Sequence, residues 1–325
     1  MDCLGFGTVA HHANAAVMLF FVLSGFVLAL PYVQGRALAW PAFLIRRFFR
    51  LWPPVAVAVG VAAVLCWSIG GHSPYLGVWW TEPVDADLLS RCLLLTGQHN
   101  GCASLDLPLW SLVYEVRISL VFPVIAPLVL RFPWVVGGCL IASGFPLEIA
   151  AYVDGRPLNA LAVTGLWPSL AVTLHFAALF AMGILFARHA SRLAFGAAAS
   201  IRFGICALVL LALASDMANG LGAVLAIALA LGSPWLARAL QQRVLRWLGR
   251  VSYSLYVVHV PVLAAFLYSL GGPLSLGWAV VAVAASLLAA ELLYRLVERP
   301  SIAVGRAVSR RFRPAAERLS PLTLP

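Results

Sequence analysis

The sequence predicts an all-α, polytopic membrane helix bundle of about nine transmembrane helices, and three observations carry that prediction. Of its 325 residues 62% are hydrophobic and only 10% are charged, where soluble domains average about a quarter charged; the mean hydropathy is +0.95. Apolar stretches of about 20 residues, the length that crosses a hydrocarbon core of roughly 30 Å, recur along the whole chain. The 22 basic residues, all arginine, outnumber 12 acids and are unevenly placed. In a soluble chain a pI near 9.9 would point to nucleic acid. In a chain this apolar the excess is read as loop charge, and no nucleic-acid partner is expected.

Bounded by arginine, proline or polar clusters, the spans are expected at residues 13–33, 54–71, 107–130, 134–153, 164–187, 201–217, 221–236, 251–271 and 274–297. The sixth and seventh are short and meet at residues 215–220, polar enough for a tight turn. Basic residues accumulate in alternate loops when the crossings between them are counted correctly. Arg91 and Arg156 fall on one side, Arg117 lies inside a span, and the other nineteen arginines fall on the opposite side, from Arg36 to the tail that carries Arg299 through Arg318. That partition makes the C-terminus cytoplasmic in a bacterial-type plasma (inner) membrane and, with an odd number of spans, puts Met1 outside. Either the chain inserts N-out or its natural start lies upstream, and a missing first span is the expectation. Residues 1–300 are expected to form one transmembrane domain, and 301–325 a basic cytoplasmic tail.

The six cysteines show no paired C-x-x-C spacing and no histidine cluster, so no metal site is expected. Cys92 and Cys102 share the long outer segment of residues 72–106, where a disulfide or two unpaired thiols are both open. That segment also carries Trp79, Trp80 and His99 and four acids, Glu82, Asp85, Asp87 and Asp106, against the single Arg91. It reads as an interfacial cap or as a surface for a sugar.

Five motifs stand out. The first span contains Phe20-Phe21-Val22-Leu23-Ser24-Gly25-Phe26, and an arginine-rich loop follows, Arg46-Arg47-Phe48-Phe49-Arg50-Leu51-Trp52-Pro53. The third span reads Leu109-Trp110-Ser111-Leu112-Val113-Tyr114-Glu115-Val116-Arg117. Later come Leu248-Gly249-Arg250-Val251-Ser252-Tyr253-Ser254-Leu255-Tyr256-Val257-Val258-His259 and Tyr294-Arg295-Leu296-Val297-Glu298-Arg299-Pro300. In order and spacing the chain resembles the acyltransferase-3 family, multi-span enzymes that O-acylate surface polysaccharides and related acceptors. The resemblance implies ten spans, cytosolic acyl-CoA (acetyl-CoA) as donor, and a hydroxyl of a glycan or lipid-linked sugar as acceptor. It begins at the family's second span, so the family's first-span histidine has no counterpart here, and the role is not carried onto His11 or His12. Met18 stands where the family often has aspartate.

Read on their own chemistry, Glu115 and Arg117 are ionisable groups well inside a span, where charge is costly and faces protein or water. They point about 200° apart on the helix and so require partners elsewhere. They are structural ties or parts of a site. Ser111 and Ser119 share the face of Glu115, while Trp110, Tyr114 and Arg117 line the other. Ser252, Tyr256 and His259 form one polar stripe, about 12 Å deep at His259. His259 is equally a general base for a hydroxyl or a helix tie beside Pro261. His175 is read as structural, and Glu298 as a brace at the exit of the last helix. Arg47 and Arg50 lie three apart on one helical face. They suit the phosphates of the donor bidentately, or they form a positive-inside anchor with Phe48, Phe49 and Trp52; the resemblance associates this R-x-x-R pair with the donor.

The expected function is therefore a membrane acyltransferase, with Glu115, Arg117, Tyr256 and His259 as catalytic candidates, Arg47 and Arg50 as donor-binding candidates, and membrane lipids as surroundings. The alternatives are a transporter or flippase of a glycolipid, against which stands the lack of an inverted repeat, and a truncated, non-catalytic relative.

Overall fold

The computed structural model describes residues 4–69, 79–95, 101–153, 165–190, 193–271 and 274–312. These residues form helices and no strand: α1 (Leu4–Val33), α2 (Trp40–Ile69), α3 (Ala86–Leu94), α4 (Gly101–Leu105), α5 (Leu109–Arg131), α6 (Gly138–Ala142), α7 (Phe145–Val153), α8 (Leu166–Ala187), α9 (Ala197–Leu211), α10 (Asp216–Gly232), α11 (Pro234–Leu240), α12 (Arg243–Leu270), α13 (Leu276–Leu293) and α14 (Arg299–Ser309). A π-helical turn at Pro133–Gly137 leads into α6, and another at Tyr294–Glu298 joins α13 to α14.

Among the described residues seven helical stretches are long and apolar enough to cross a membrane, and α10 with α11 make an eighth that bends by 93° at Ser233. Each of the nine expected spans has a helix. The sixth shrinks to α9, 15 residues or about 22 Å at 1.5 Å per residue, short of the hydrocarbon thickness. It stops at Leu211 because Ser215 caps α10, its side chain accepting from the Ala218 amide. Large apolar side chains face outward along the spans, Trp134 at 91% and Tyr152 at 88% exposure being the extremes. Such a surface suits lipid and not water. The chain is an integral membrane protein.

The expected arginine-rich loop is instead helix: α2 begins at Trp40, so Arg46, Arg47 and Arg50 lie on its first turns. Two prolines, Pro53 and Pro54, lie inside α2; membrane helices tolerate proline where neighbouring groups can re-satisfy the freed backbone. At the other end of the sequence, helix continues past Pro300 to Ser309.

The chain divides into two compact units. One comprises residues 1–37 and 120–246, the other 38–119 and 247–325. In the first unit α1 crosses α8 at two glycines. A methyl group on Gly25 would overlap the Phe180 carbonyl, and one on Gly183 would overlap the Val22 carbonyl. This is why the first span carries Ser-Gly-Phe: with no hydrophobic drive between helices in lipid, small residues let backbones touch. Phe21 stacks on Phe176 at 4.6 Å beside the crossing.

The same unit solves the problem of His175, which has no polar neighbour on its own helix. Its Nδ1 lies 2.7 Å from the Gly144 carbonyl and its Nε2 3.1 Å from Asp216 Oδ2, while Asn14 Nδ2 donates to Asp216 Oδ1 at 2.7 Å. A carbonyl only accepts, so Nδ1 carries a proton, and one more proton sits between Nε2 and the carboxylate. One buried imidazole thus ties α1, α8 and α10 to the turn after α6.

The second unit packs α2, α12, α13 and the start of α5 around Leu51, Val55, Val113, Val257 and Leu293. The segment expected outside the membrane is more than a cap. Leu88, Cys92, Leu95 and Leu105 enter this core, and Cys92 is bridged to Cys102. Trp52 Nε1 donates to the Leu93 carbonyl at 2.9 Å, Tyr268 donates to the Trp79 carbonyl at 2.6 Å, and the Trp80 ring stacks on Tyr268 at 4.9 Å. His99 lies outside the described residues, as does Cys3, and the side chains of His11 and His12 are not described.

Candidate active site

All the site candidates fall in the second unit, held by α2, the start of α5 and α12. Arg47, two turns into α2, meets Glu115, two turns into α5. Its Nη2 donates to Glu115 Oε1 at 2.5 Å and to Ser119 Oγ at 3.0 Å, and its Nε reaches the same hydroxyl at 3.2 Å. Glu115 and Ser119 lie four apart on one face of α5, so a single guanidinium fork reads both. The Glu115 side chain is 2% exposed and that of Arg47 11%. Two charges so far from water persist because each supplies the other's counter-charge and the serine fills a further donor.

α12 lies against this cluster. The Tyr253 hydroxyl donates to the Leu51 carbonyl at 2.8 Å, fixing α12 to the turn of α2 that carries Arg50. One turn on, the Tyr256 hydroxyl is 2.6 Å from Ser111 Oγ. Ser111 Oγ also lies 3.2 Å from the Pro108 carbonyl, and either hydroxyl can donate in the pair with Tyr256. The hydroxyl also lies within electrostatic reach of Asp106 and Glu115.

His259 packs with its ring centre 6.2 Å from that of Tyr256. Its Nδ1 faces two carbonyls of its own helix, Leu255 at 3.0 Å and Tyr256 at 2.9 Å. Nδ1 therefore holds the proton of the neutral ring, and Nε2 presents the lone pair. An imidazole oriented in this way is suited to accept a proton from a hydroxyl. Ser252, the third member of the expected stripe, is exposed and donates back to the Gly249 carbonyl at 3.0 Å.

Arg117 is on the other side of α5, its guanidinium carbon 5.6 Å from the centre of the Tyr114 ring. Arg50 is exposed, one helical turn from Arg47, beside the stacked pair of Phe48 and Trp52 at 5.4 Å. Glu298 is buried and accepts from Ser254 at 2.6 Å, bracing the exit of α13 against α12. Among the described residues no group of three or more histidine, cysteine or acidic side chains is placed to hold a metal ion.

One residue of this region was not a site candidate in the sequence. Asp106, just before α5, is completely buried, and neither carboxylate oxygen has a hydrogen-bond partner. Burial pushes its carboxyl well above the ordinary carboxylate range. The run Leu105-Asp106-Leu107 flanked by helix starts gave no sign of this, because nothing in sequence distinguishes a buried loop acid from a solvated one.

Comparison with known proteins places this arrangement. Residues 10–295 match the acyltransferase domain of the acyltransferase-3 family. The chain is 28% identical over 342 aligned positions to acyltransferase MdmB of Streptomyces mycarofaciens, covering 95% of this chain and 85% of that protein. It is 25% identical over 347 positions to the peptidoglycan O-acetyltransferase OatA of Listeria monocytogenes, covering 90% of this chain and 53% of that longer protein. No solved structure matches. A family match over residues 10–295, on a chain of long apolar helices, establishes the protein as a membrane acyltransferase of the acyltransferase-3 family.

Proposed function

We propose that this enzyme moves an acyl group, acetyl in the first instance, from cytosolic acyl-CoA to a hydroxyl of an extracytoplasmic glycan or lipid-linked sugar. The observation that carries the reading is the grouping, in one unit, of the buried Arg47–Glu115–Ser119 cluster with the Tyr256 hydroxyl and the open Nε2 of His259. The likeness to an O-acetyltransferase supports a hydroxyl acceptor. The one-sided arginine distribution supports a cytoplasmic C-terminus, hence a cytosolic face for Arg50, in a bacterial inner membrane.

In this mechanism His259 Nε2 takes the proton of the acceptor hydroxyl as its oxygen attacks the thioester carbonyl carbon. The carbonyl oxygen becomes an oxyanion, and the Tyr256 hydroxyl donates toward it; Arg117 adds positive charge from the far face of α5. The C–S bond then breaks, the thiolate of CoA leaves and takes the proton back from the imidazolium, and an ester remains on the acceptor. Arg50 meets the donor's phosphates at the membrane surface, and Arg47, committed to Glu115 and Ser119, fixes the start of α5 against α2.

Inside-out membrane vesicles carrying the chain, given radiolabelled acetyl-CoA and a lipid-linked glycan, test this directly. Label is expected on the glycan as alkali-labile ester. Movement of the glycolipid across the bilayer without label transfer overturns the reading in favour of a flippase.

A further inference from the structure

We propose that the arginine face of α14 docks the phosphates of the acyl donor, extending the donor site beyond Arg50 of α2; this rests on the acyl-CoA reading above. Arg299 and Arg306 on α14 and Arg310 at its C-cap follow spacings of seven and four, which puts them within about 40° of one another around a helix. All three are exposed. The adjoining face of α14 is buried against α2: a methyl group on Gly305 would come within 2.7 Å of Phe49 Cβ, and Ser309 Oγ accepts from Arg46 Nε at 2.8 Å. The glycine is what lets α14 lie flush on the segment that carries Arg46, Arg47 and Arg50.

That close fit gathers positive charge with little to balance it. Arg47 is taken by Glu115 and Ser119, so it cannot offer its fork to a phosphate without breaking a buried pair. One acid of this region, Glu298, is buried, bonded to Ser254 and within electrostatic reach of Arg50, so it offsets that arginine only in part. Among the described residues no carboxylate forms a salt bridge with Arg50, Arg299, Arg306 or Arg310. Like charges held together repel unless a polyanion joins them. CoA carries a pyrophosphate and a ribose phosphate, and guanidinium forks match phosphate oxygens in pairs. Phosphate groups of lipids share that chemistry, and the test separates the two.

The full chain in nanodiscs of neutral phosphatidylcholine is titrated with CoA and with pantetheine, which has the thiol arm and lacks the nucleotide phosphates. Arg306→Gln/Arg310→Gln is expected to weaken CoA binding about ten-fold or more and to leave pantetheine binding unchanged, while Arg202→Gln/Arg238→Gln, an equal loss of charge elsewhere, changes neither. CoA affinity unaltered by Arg306→Gln/Arg310→Gln overturns the proposal. So does unaltered CoA affinity accompanied by weaker enrichment of phosphatidylglycerol in mixed nanodiscs, which assigns the face to lipid headgroups. A parent chain that binds no CoA at all overturns the acyl-CoA reading itself, an outcome distinct from either.

Discussion

Arg47 and Glu115, 68 positions apart in sequence, share a hydrogen bond of 2.5 Å with the glutamate side chain only 2% exposed. Removing one partner leaves a charge buried without its counter-charge, which costs about 3–5 kcal/mol, whereas replacing both with apolar residues of similar size is near neutral. Glu115→Leu and Arg47→Met are each expected to lower the thermal midpoint sharply. The double variant is expected to recover most of the loss, although not acyl transfer. Midpoints from a thermal series on the purified protein check this, and equal destabilisation in the single and double variants contradicts it.

The Gly25–Gly183 crossing makes a second prediction. Either glycine changed to alanine must push α1 and α8 apart, since the added carbon meets backbone that cannot rotate away. Overpacking of this kind costs about 1–3 kcal/mol. Gly60, where a methyl group meets nothing within 4 Å, is the comparison. Gly60→Ala is expected to be neutral in the same thermal assay, and Gly25→Ala and Gly183→Ala to lower the midpoint.

His175 and Asp216 predict a difference between two substitutions at one position. In Asp216→Asn the amide still donates to Nε2 of a neutral imidazole while its oxygen still accepts from Asn14, so stability stays within about 1 kcal/mol of the parent. Asp216→Ala strands the buried His175 and the half-buried Asn14, at about 1–3 kcal/mol. Denaturant midpoints that rank the two variants equally contradict the hydrogen-bond assignment.

Asp106 gives the pH dependence. Burial raises its carboxyl above the unfolded value, so the folded state holds that proton more tightly than the unfolded chain. The stability this contributes is fully present below the unfolded carboxylate range and is lost as pH rises through the raised folded value. Asp106→Asn removes the ionisation. Relative to the parent, the variant is expected to gain stability steadily from acidic to alkaline pH. Midpoints measured at intervals between pH 4 and pH 9 check the slope, and parallel curves for the two proteins refute it.

Much of this was legible in sequence, for physical reasons that differ from residue to residue. Nine hydrophobic stretches each became a helix because lipid leaves a backbone few other choices. Glu115 stood out because charge is rare in so apolar a chain, and its lack of an intrahelical partner followed from 100° per residue. That Arg47 was the partner did not follow, since it depends on how α2 and α5 pack. The arginine-rich segment read as loop because charge marks a boundary in hydropathy, yet arginine is also a good helix former, and α2 simply continues through it. Asp216 and Asn14 passed unnoticed because each looks like an ordinary polar residue at a helix end; only folding brings them to His175. The entry of residues 88–105 into the second core was hidden for a similar reason, its apolar runs being too short to signal a span.

The proposed base for acyl transfer is His259, whose Nδ1 faces two carbonyls of its own helix and so leaves the lone pair on Nε2. The most direct measurement is the initial rate of label transfer from acetyl-CoA by purified His259→Gln, alongside its thermal midpoint. With the midpoint unchanged, the rate is expected to fall about 100-fold or more. A folded His259→Gln protein that transfers label within two-fold of the parent would rule His259 out as the base.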